Sequence, residues 1–155
     1  MIDDFIEKLR IEEGGILLLT ENSLTLLMTI KKLDKSLSSG ISIDEIFNII
    51  ISKIIKKLGV TGTLLIQTFD WDFCNNKKFD ILNSKSKTSF LGNTAIKRDD
   101  FIRTKHPMYS FAVTGKYKDE LANLNNSGAF DIDSPFHFIY KKKAKMLIID
   151  VSIQK

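Results

Sequence analysis

Few side chains in this sequence can exchange a proton near neutral pH: there are two histidines, His106 and His137, and one cysteine, Cys74, in 155 residues. Histidine has the ordinary pKa nearest neutrality, which makes His106 the leading local candidate for acid–base work. It precedes Pro107, and a residue before proline is biased to extended backbone, which fixes the direction in which its side chain projects. The competing reading is a histidine hydrogen-bonded into a turn. His137 stands between Phe136 and Phe138 and reads as a packed or surface residue. Cys74 ends the aromatic run Trp71-Asp72-Phe73 with no base placed beside it, so it reads as a buried or inert thiol. The histidines lie far apart and the cysteine is isolated, so no metal-ligand cluster is implied.

A second group of residues suits binding. Ser84, Ser86, Lys87, Thr88 and Ser89 form a hydroxyl-rich, basic stretch. Hydroxyls and backbone N–H groups can hold a phosphate or a pantetheine amide, although the same composition also describes a solvated loop. Arg103 suits a phosphate or a nearby carboxylate. Asp70 and Asp72 either present carboxylates to a cationic amine or solvate their loop. Ser134-Pro135 reads as an N-cap with proline at the first helical position.

The elements that must position these residues are legible as periodicity. Apolar residues at 2, 5, 6 and 9 predict a helix. The short apolar runs Ile16–Leu19, Thr63–Ile66 and Met146–Ile149 predict strands buried on both faces. Ser23–Leu33 reads as a helix and 37–40 as a loop. Ser42-Ile43-Asp44-Glu45 is a capping box opening a helix to about Lys57, with a face at 46, 49, 50, 54 and 58 and a stop at Gly59. A strand, helices and a second strand make a parallel crossover. Residues 70–89 form a long loop. Tyr109–Val113 is strand-like, Tyr117–Leu124 helical, and a short helix runs from Ser134 to about Tyr140. The expected fold is a single three-layer α/β domain with a mostly parallel central sheet. Functional loops in such folds lie at the carboxyl ends of strands, and the one due after Ile149 is missing, so the domain is expected to be incomplete at its C-terminus.

Composition narrows the partners. The net charge of +4 and pI of about 9.1 suit an anionic ligand such as a phosphate-bearing cofactor. The lysines are dispersed, with Lys141-Lys142-Lys143 the densest run, and no basic face with interleaved aromatics marks a nucleic-acid binder. The longest apolar stretches, Ile16–Leu19 and Phe47–Ile51, fall short of the ~20 residues that span a bilayer. The acidic start lacks the basic region of a signal peptide, and a lone cysteine suits a reducing compartment. The expectation is a soluble, cytoplasmic protein.

Several segments, in order, resemble one family. Gly62-Thr63-Leu64-Leu65-Ile66-Gln67-Thr68-Phe69 is similar to a "GTLLxPTF" strand and turn. Phe79-Asp80 with Ser84-Lys85-Ser86 is similar to an "FD…TPS" loop. Arg103-Thr104-Lys105-His106-Pro107-Met108-Tyr109-Ser110-Phe111-Ala112-Val113, with Gly115 just beyond, is similar to "RSxHPxxSxAV". Phe130-Asp131-Ile132-Asp133-Ser134-Pro135-Phe136 is similar to "FGxxSPF". Together these resemble the N-terminal portion of the aminoglycoside 3-N-acetyltransferase (antibiotic N-acetyltransferase) family, most clearly over residues 59–150.

The resemblance implies acetyl transfer from acetyl-CoA to an amine of an aminoglycoside or other amino sugar, with no metal. It places His106 at the active-site cleft and the Ser84–Ser89 loop on coenzyme A. It adds cofactor-side roles for Arg103, Ser110 and Ser134. Such a reaction needs a base to free the attacking amine of its proton and donors for the tetrahedral oxyanion. The departures are specific. Thr20-Glu21-Asn22-Ser23 replaces the family's "HSS", Gln67 stands for proline, Ser84-Lys85 for Thr-Pro, and Ser89 for glycine. Family members continue beyond Val151-Ser152-Ile153-Gln154-Lys155 into a segment carrying a histidine and then an acidic residue. The alternative expectation is a truncated, catalytically inactive half, active only with a separate C-terminal piece or not at all, and the expected protein partner is a C-terminal complementing chain or a second copy in a homo-oligomer.

Overall fold

The computed structural model describes residues 2–37 and 40–149. The predicted loop residues Ser38 and Ser39 and the tail from Asp150 to Lys155 lie outside them.

Three helices precede the second strand. α1 (Ile2–Lys8) buries Ile2 and Ile6. β1 (Ile16–Glu21) leads into α2 (Ser23–Leu33), whose N-cap Asn22 accepts the Thr25 N–H at 3.1 Å. α3 (Ile43–Leu58) starts on the predicted capping box: Ser42 Oγ accepts the Glu45 N–H at 3.2 Å, and Glu45 Oε2 accepts the Ser42 N–H at 2.7 Å. Its buried stripe is Ile46, Phe47, Ile50, Ile51, Ile54 and Leu58, with Ile49 half-buried at the edge. Gly59 ends it at φ 66°, a conformation glycine adopts without steric cost.

The remaining elements are β2 (Thr63–Gln67), α4 (Phe90–Ile96), β3 (Ile102–Arg103), β4 (Phe111–Gly115), α5 (Lys118–Asn123), α6 (Pro135–Lys141) and β5 (Lys145–Ile149). The sheet order is β3-β4-β2-β1-β5. β1 pairs in parallel with β2 and β5, while β4 opposes both β2 and β3. Four strands thus share one direction and only β4 runs against them.

Strand alternation divides the core in two. Leu17, Leu19, Leu64, Ile66 and Ala112 pack beneath α1–α4. Leu18, Leu65, Phe111 and Val113 face α5 and α6, against Leu121 and Phe138. The result is three layers, helices on both faces of the sheet.

Three expectations need correction. β4 begins at Phe111 rather than Tyr109, because residues 106–109 form a turn held by His106. β5 is an edge strand rather than a buried one: Met146 and Ile148 are 55% and 40% exposed. Cys74 is exposed, with Sγ 3.6 Å from Met108 Sδ. The helix α4 is an addition to the sequence reading.

Candidate functional site

β1 and β2 end side by side, and the chain turns outward from the end of each. After β1 it enters α2 through Asn22. After β2 it crosses the loop to Ser89, the N-cap of α4, whose Oγ accepts the Gly92 N–H at 2.7 Å. Between these two helix starts lies a cleft of about 400 Å³ lined by Thr20, Glu21, Ser23, Gln67, Ser86–Phe90 and their neighbours. An apolar groove of about 480 Å³ continues from it over Leu27, Phe47, Leu82 and Ile96, sharing Ser23, Leu24 and Phe90.

α4 is only seven residues long, so tertiary contacts must hold it. Thr94 Oγ1 donates to Asp44 Oδ1 and Lys97 Nζ to Asp44 Oδ2, both at 2.6 Å, tying it to α3. Gly92 sits so close to the end of β2 that a Cβ there would stand 2.5 Å from the Gln67 carbonyl oxygen. Glycine at this point lets Ser89 reach the carboxyl end of β1.

There Ser89 meets Glu21. Glu21 is in strand phase with Leu17 and Leu19, so it points under α2 and α4 and is only 4% exposed. Its Oε1 accepts from Ser89 Oγ at 2.5 Å and from Ser23 Oγ at 3.0 Å, while Oε2 has no hydrogen-bond partner. Burial raises the Glu21 pKa above the ordinary carboxyl value, and the hydroxyls of Ser89 and Ser23 and the Leu91 backbone N–H oppose that rise. Ser23 Oγ in turn accepts the Phe90 N–H at 2.9 Å, closing a loop of contacts between the two helix starts.

The predicted hydroxyl loop is ordered by its own bonds. Ser86 Oγ donates to the Phe69 carbonyl and accepts the N–H groups of Thr88 and Ser89 at 3.2 Å each. Ser86, Thr88 and Ser89 line the cleft, whereas Ser84 lines the adjoining groove, its Oγ accepting the Asp80 N–H. Lys87 stands at the rim, 3.0 Å from Asp72.

The other sequence-selected residues lie at the same end of the sheet but do not line the cleft. Arg103 is 5% exposed. Its Nε donates to Ser110 Oγ at 2.9 Å, Nη2 to the Thr68 carbonyl at 2.8 Å and Nη1 to the Ser84 carbonyl, and the guanidinium lies 4.8 Å from the Phe79 ring centre. Burial lowers its pKa to about 10, against the opposing pull of Asp70 and Asp80. Ser110 is fully buried and bonds Thr68 Oγ1 at 2.9 Å. His106 Nδ1 accepts the N–H groups of Met108 and Tyr109 at 3.2 and 3.1 Å. Burial lowers its pKa, while a backbone hydrogen bond to Ser127 and the Asp131 charge act the other way. The neutral ring thus clamps the turn before β4. Ser134 caps α6 through the His137 N–H at 3.1 Å. Asp70 is buried and accepts the Asp72 N–H, and Asp72 meets Lys77 and Lys87.

Glu21 and Ser23 are the cleft residues that sequence reasoning passed over. The available signal was a carboxylate in phase with Leu17 and Leu19, at the end of an apolar strand. Among the described residues no three His, Cys, Asp or Glu side chains converge as a metal cage, and no helix is long and apolar enough to cross a membrane.

The chain matches the family described as aminoglycoside 3-N-acetyltransferase over residues 34–155. No curated protein sequence matches it. Its fold is that of the aminoglycoside acetyltransferase AAC(3)-IVa apoenzyme (18% identity, TM-score 0.71, 97% of this chain and 54% of that one). The AAC-IIIb binary complex with CoASH is similar at 14% identity and TM-score 0.71, covering 95% of this chain and 57% of that one. YokD from Bacillus subtilis matches at 14% identity and TM-score 0.71, covering 95% and 62%. The chain therefore spans little more than half the length of these structures.

Proposed function

Because the chain belongs to the aminoglycoside 3-N-acetyltransferase family, we propose that its cleft takes the coenzyme A portion of acetyl-CoA and that the reaction it serves is acetyl transfer to an amine of an aminoglycoside or other amino sugar. The observation that carries this reading is the cleft between the starts of α2 and α4, at the carboxyl ends of two parallel strands. This is where open α/β sheets bind ligands. A protein of the same fold, AAC-IIIb, is known with CoASH bound.

The parts divide by chemistry. The backbone N–H groups of Ser86–Phe90 are taken up within the protein and shape the cleft, while the Thr88 hydroxyl and the first turn of α2 are the polar groups set toward the donor. The adjoining groove, with exposed Leu24, Leu82 and Phe90, offers apolar contact. Lys87 at the rim and Lys85 in the groove supply positive charge toward phosphate. Arg103, Ser110, His106 and Ser134 act from behind, holding the loops at this end of the sheet.

A second reading is favoured by β5. Its open edge and exposed Met146 and Ile148 are what a partner strand or a further stretch of protein would cover. In that reading the cleft binds the donor, while turnover requires a C-terminal complement or a second copy.

Isothermal titration of the chain with acetyl-CoA, alongside coenzyme A, tests the proposal. Micromolar binding is expected of both. A demonstrably folded chain that binds neither contradicts it.

A further inference from the structure

Glu21 is the one buried side-chain polar group whose valence the described structure leaves open. Glu21 is among the residues lining the cleft; its Oε1 is doubly occupied by Ser89 and Ser23, the Leu91 backbone N–H lies near the carboxylate, and its Oε2 is buried with no hydrogen-bond partner. A buried acceptor left unmade carries its full desolvation cost, and native structures rarely tolerate that without a use for it. The geometry is also not accidental. The Gly92 contact with the Gln67 carbonyl brings Ser89 to Glu21, and Ser89 and Ser23 both hold Oε1, with the Leu91 backbone N–H close to the carboxylate. The remaining oxygen is a preorganised acceptor. It repels phosphate and selects a hydrogen-bond donor.

Resting on the reading of the cleft as the donor site, we propose that Glu21 Oε2 is a ligand-binding position that accepts an N–H group, supplied by a secondary amide of the pantetheine arm or by the ammonium of an amino-sugar acceptor. The nucleotide end of coenzyme A offers an N–H only through the adenine amino group, which 3′,5′-ADP carries without the pantetheine arm. Glu21 thereby distinguishes a ligand bearing the pantetheine arm or an amine from a bare anion that the basic rim attracts.

The test titrates wild type and the Glu21→Gln variant with coenzyme A, with 3′,5′-ADP and with 2-deoxystreptamine. Glutamine keeps the shape and one carbonyl for Ser23 and Ser89 but turns a donor toward the ligand. Glu21→Asp, which keeps the charge and withdraws it by one methylene, is the second variant, and thermal melts confirm that both fold. The expected result is about tenfold weaker coenzyme A binding by both variants, with 3′,5′-ADP unchanged, which assigns the amide. Weaker 2-deoxystreptamine binding with coenzyme A unchanged assigns the ammonium instead. Equal affinities of wild type and variants for both ligands overturn the role of Glu21 and leave the cleft reading standing. A 3′,5′-ADP affinity that falls as far as that of coenzyme A also overturns it, since the change then lies at the nucleotide or is general and not at the pantetheine arm or the ammonium. Folded wild type that binds none of the three overturns the cleft reading and this inference with it.

Discussion

Arg103 and Glu21 are both ionisable, both about 95% buried, and both at the carboxyl end of the parallel strands. They are satisfied very differently. Arg103 spends its donors on Ser110, Thr68 and Ser84 and lays its guanidinium by Phe79. Glu21 is held on one oxygen and left open on the other. A buried charge with each of its nitrogens bonded to the protein, away from the cleft, is architecture. A buried charge with one valence open beside a cleft is positioned for something that arrives later. The contrast shows why residue type alone misleads: the arginine looks like a phosphate ligand in sequence, and the glutamate looks like a flaw in a motif.

The largest effect is expected from breaking the satisfied side. Arg103→Met removes the Arg103 donor from the Ser84 carbonyl, leaves that of Thr68 with Ser110 Oγ alone and frees the loop between them, at a cost of about 3 kcal/mol. Urea denaturation should show it as a lower midpoint, and a loss of under about 1 kcal/mol would refute the architectural role. Gly92→Ala comes next. Helix propensity alone would gain about 1 kcal/mol, but the added methyl meets the Gln67 carbonyl oxygen. The net expectation is a loss of about 2 kcal/mol, together with weaker coenzyme A binding as Ser89 is pushed from Glu21. A stabilised variant would show that α4 is free to move.

A smaller effect sharpens the comparison at the turn. His106→Ala leaves the N–H groups of Met108 and Tyr109 without their acceptor, costing about 1 kcal/mol. His106→Asn offers a side-chain oxygen in place of Nδ1 and should recover most of it in thermal melts. Failure of asparagine to recover stability would point to the ring itself.

The smallest effect concerns Glu21 and pH. Burial raises its folded pKa above 4.5, so the uncharged form is favoured on folding. Its contribution to stability is fully present below the unfolded value and is lost as pH rises through the raised folded value. Relative to Glu21→Gln, which does not titrate, wild type should therefore lose ground as pH rises from about 4.5 through the raised folded value. A stability difference flat over that range would mean that the carboxylate is not desolvated.

Much of the scaffold was readable. The apolar tetrads became β1, β2 and β5, the Ser42–Glu45 box and Gly59 bounded α3, and Ser134-Pro135 began α6. These signals are local, and the features they missed are not. α4 is held by Asp44, 50 residues away in sequence from Thr94, so its short span carries little periodicity of its own. Tyr109 has strand propensity but is claimed by the His106 turn. β5 has the composition of a buried strand, yet its position at the sheet edge leaves Met146 and Ile148 open. The Ser86–Ser89 loop was found by composition, but its link to Glu21 spans 68 residues and shows only once β1 and α4 are brought together.

Backbone amide chemical shifts recorded during a titration with coenzyme A test the central claim most directly. The account predicts shifts at Thr20–Leu24, Gln67 and Ser86–Phe90, with Arg103, Thr104 and Ser110 unmoved behind them. Shifts centred on the Lys141–Lys143 run or around Arg103, with the cleft silent, would contradict it.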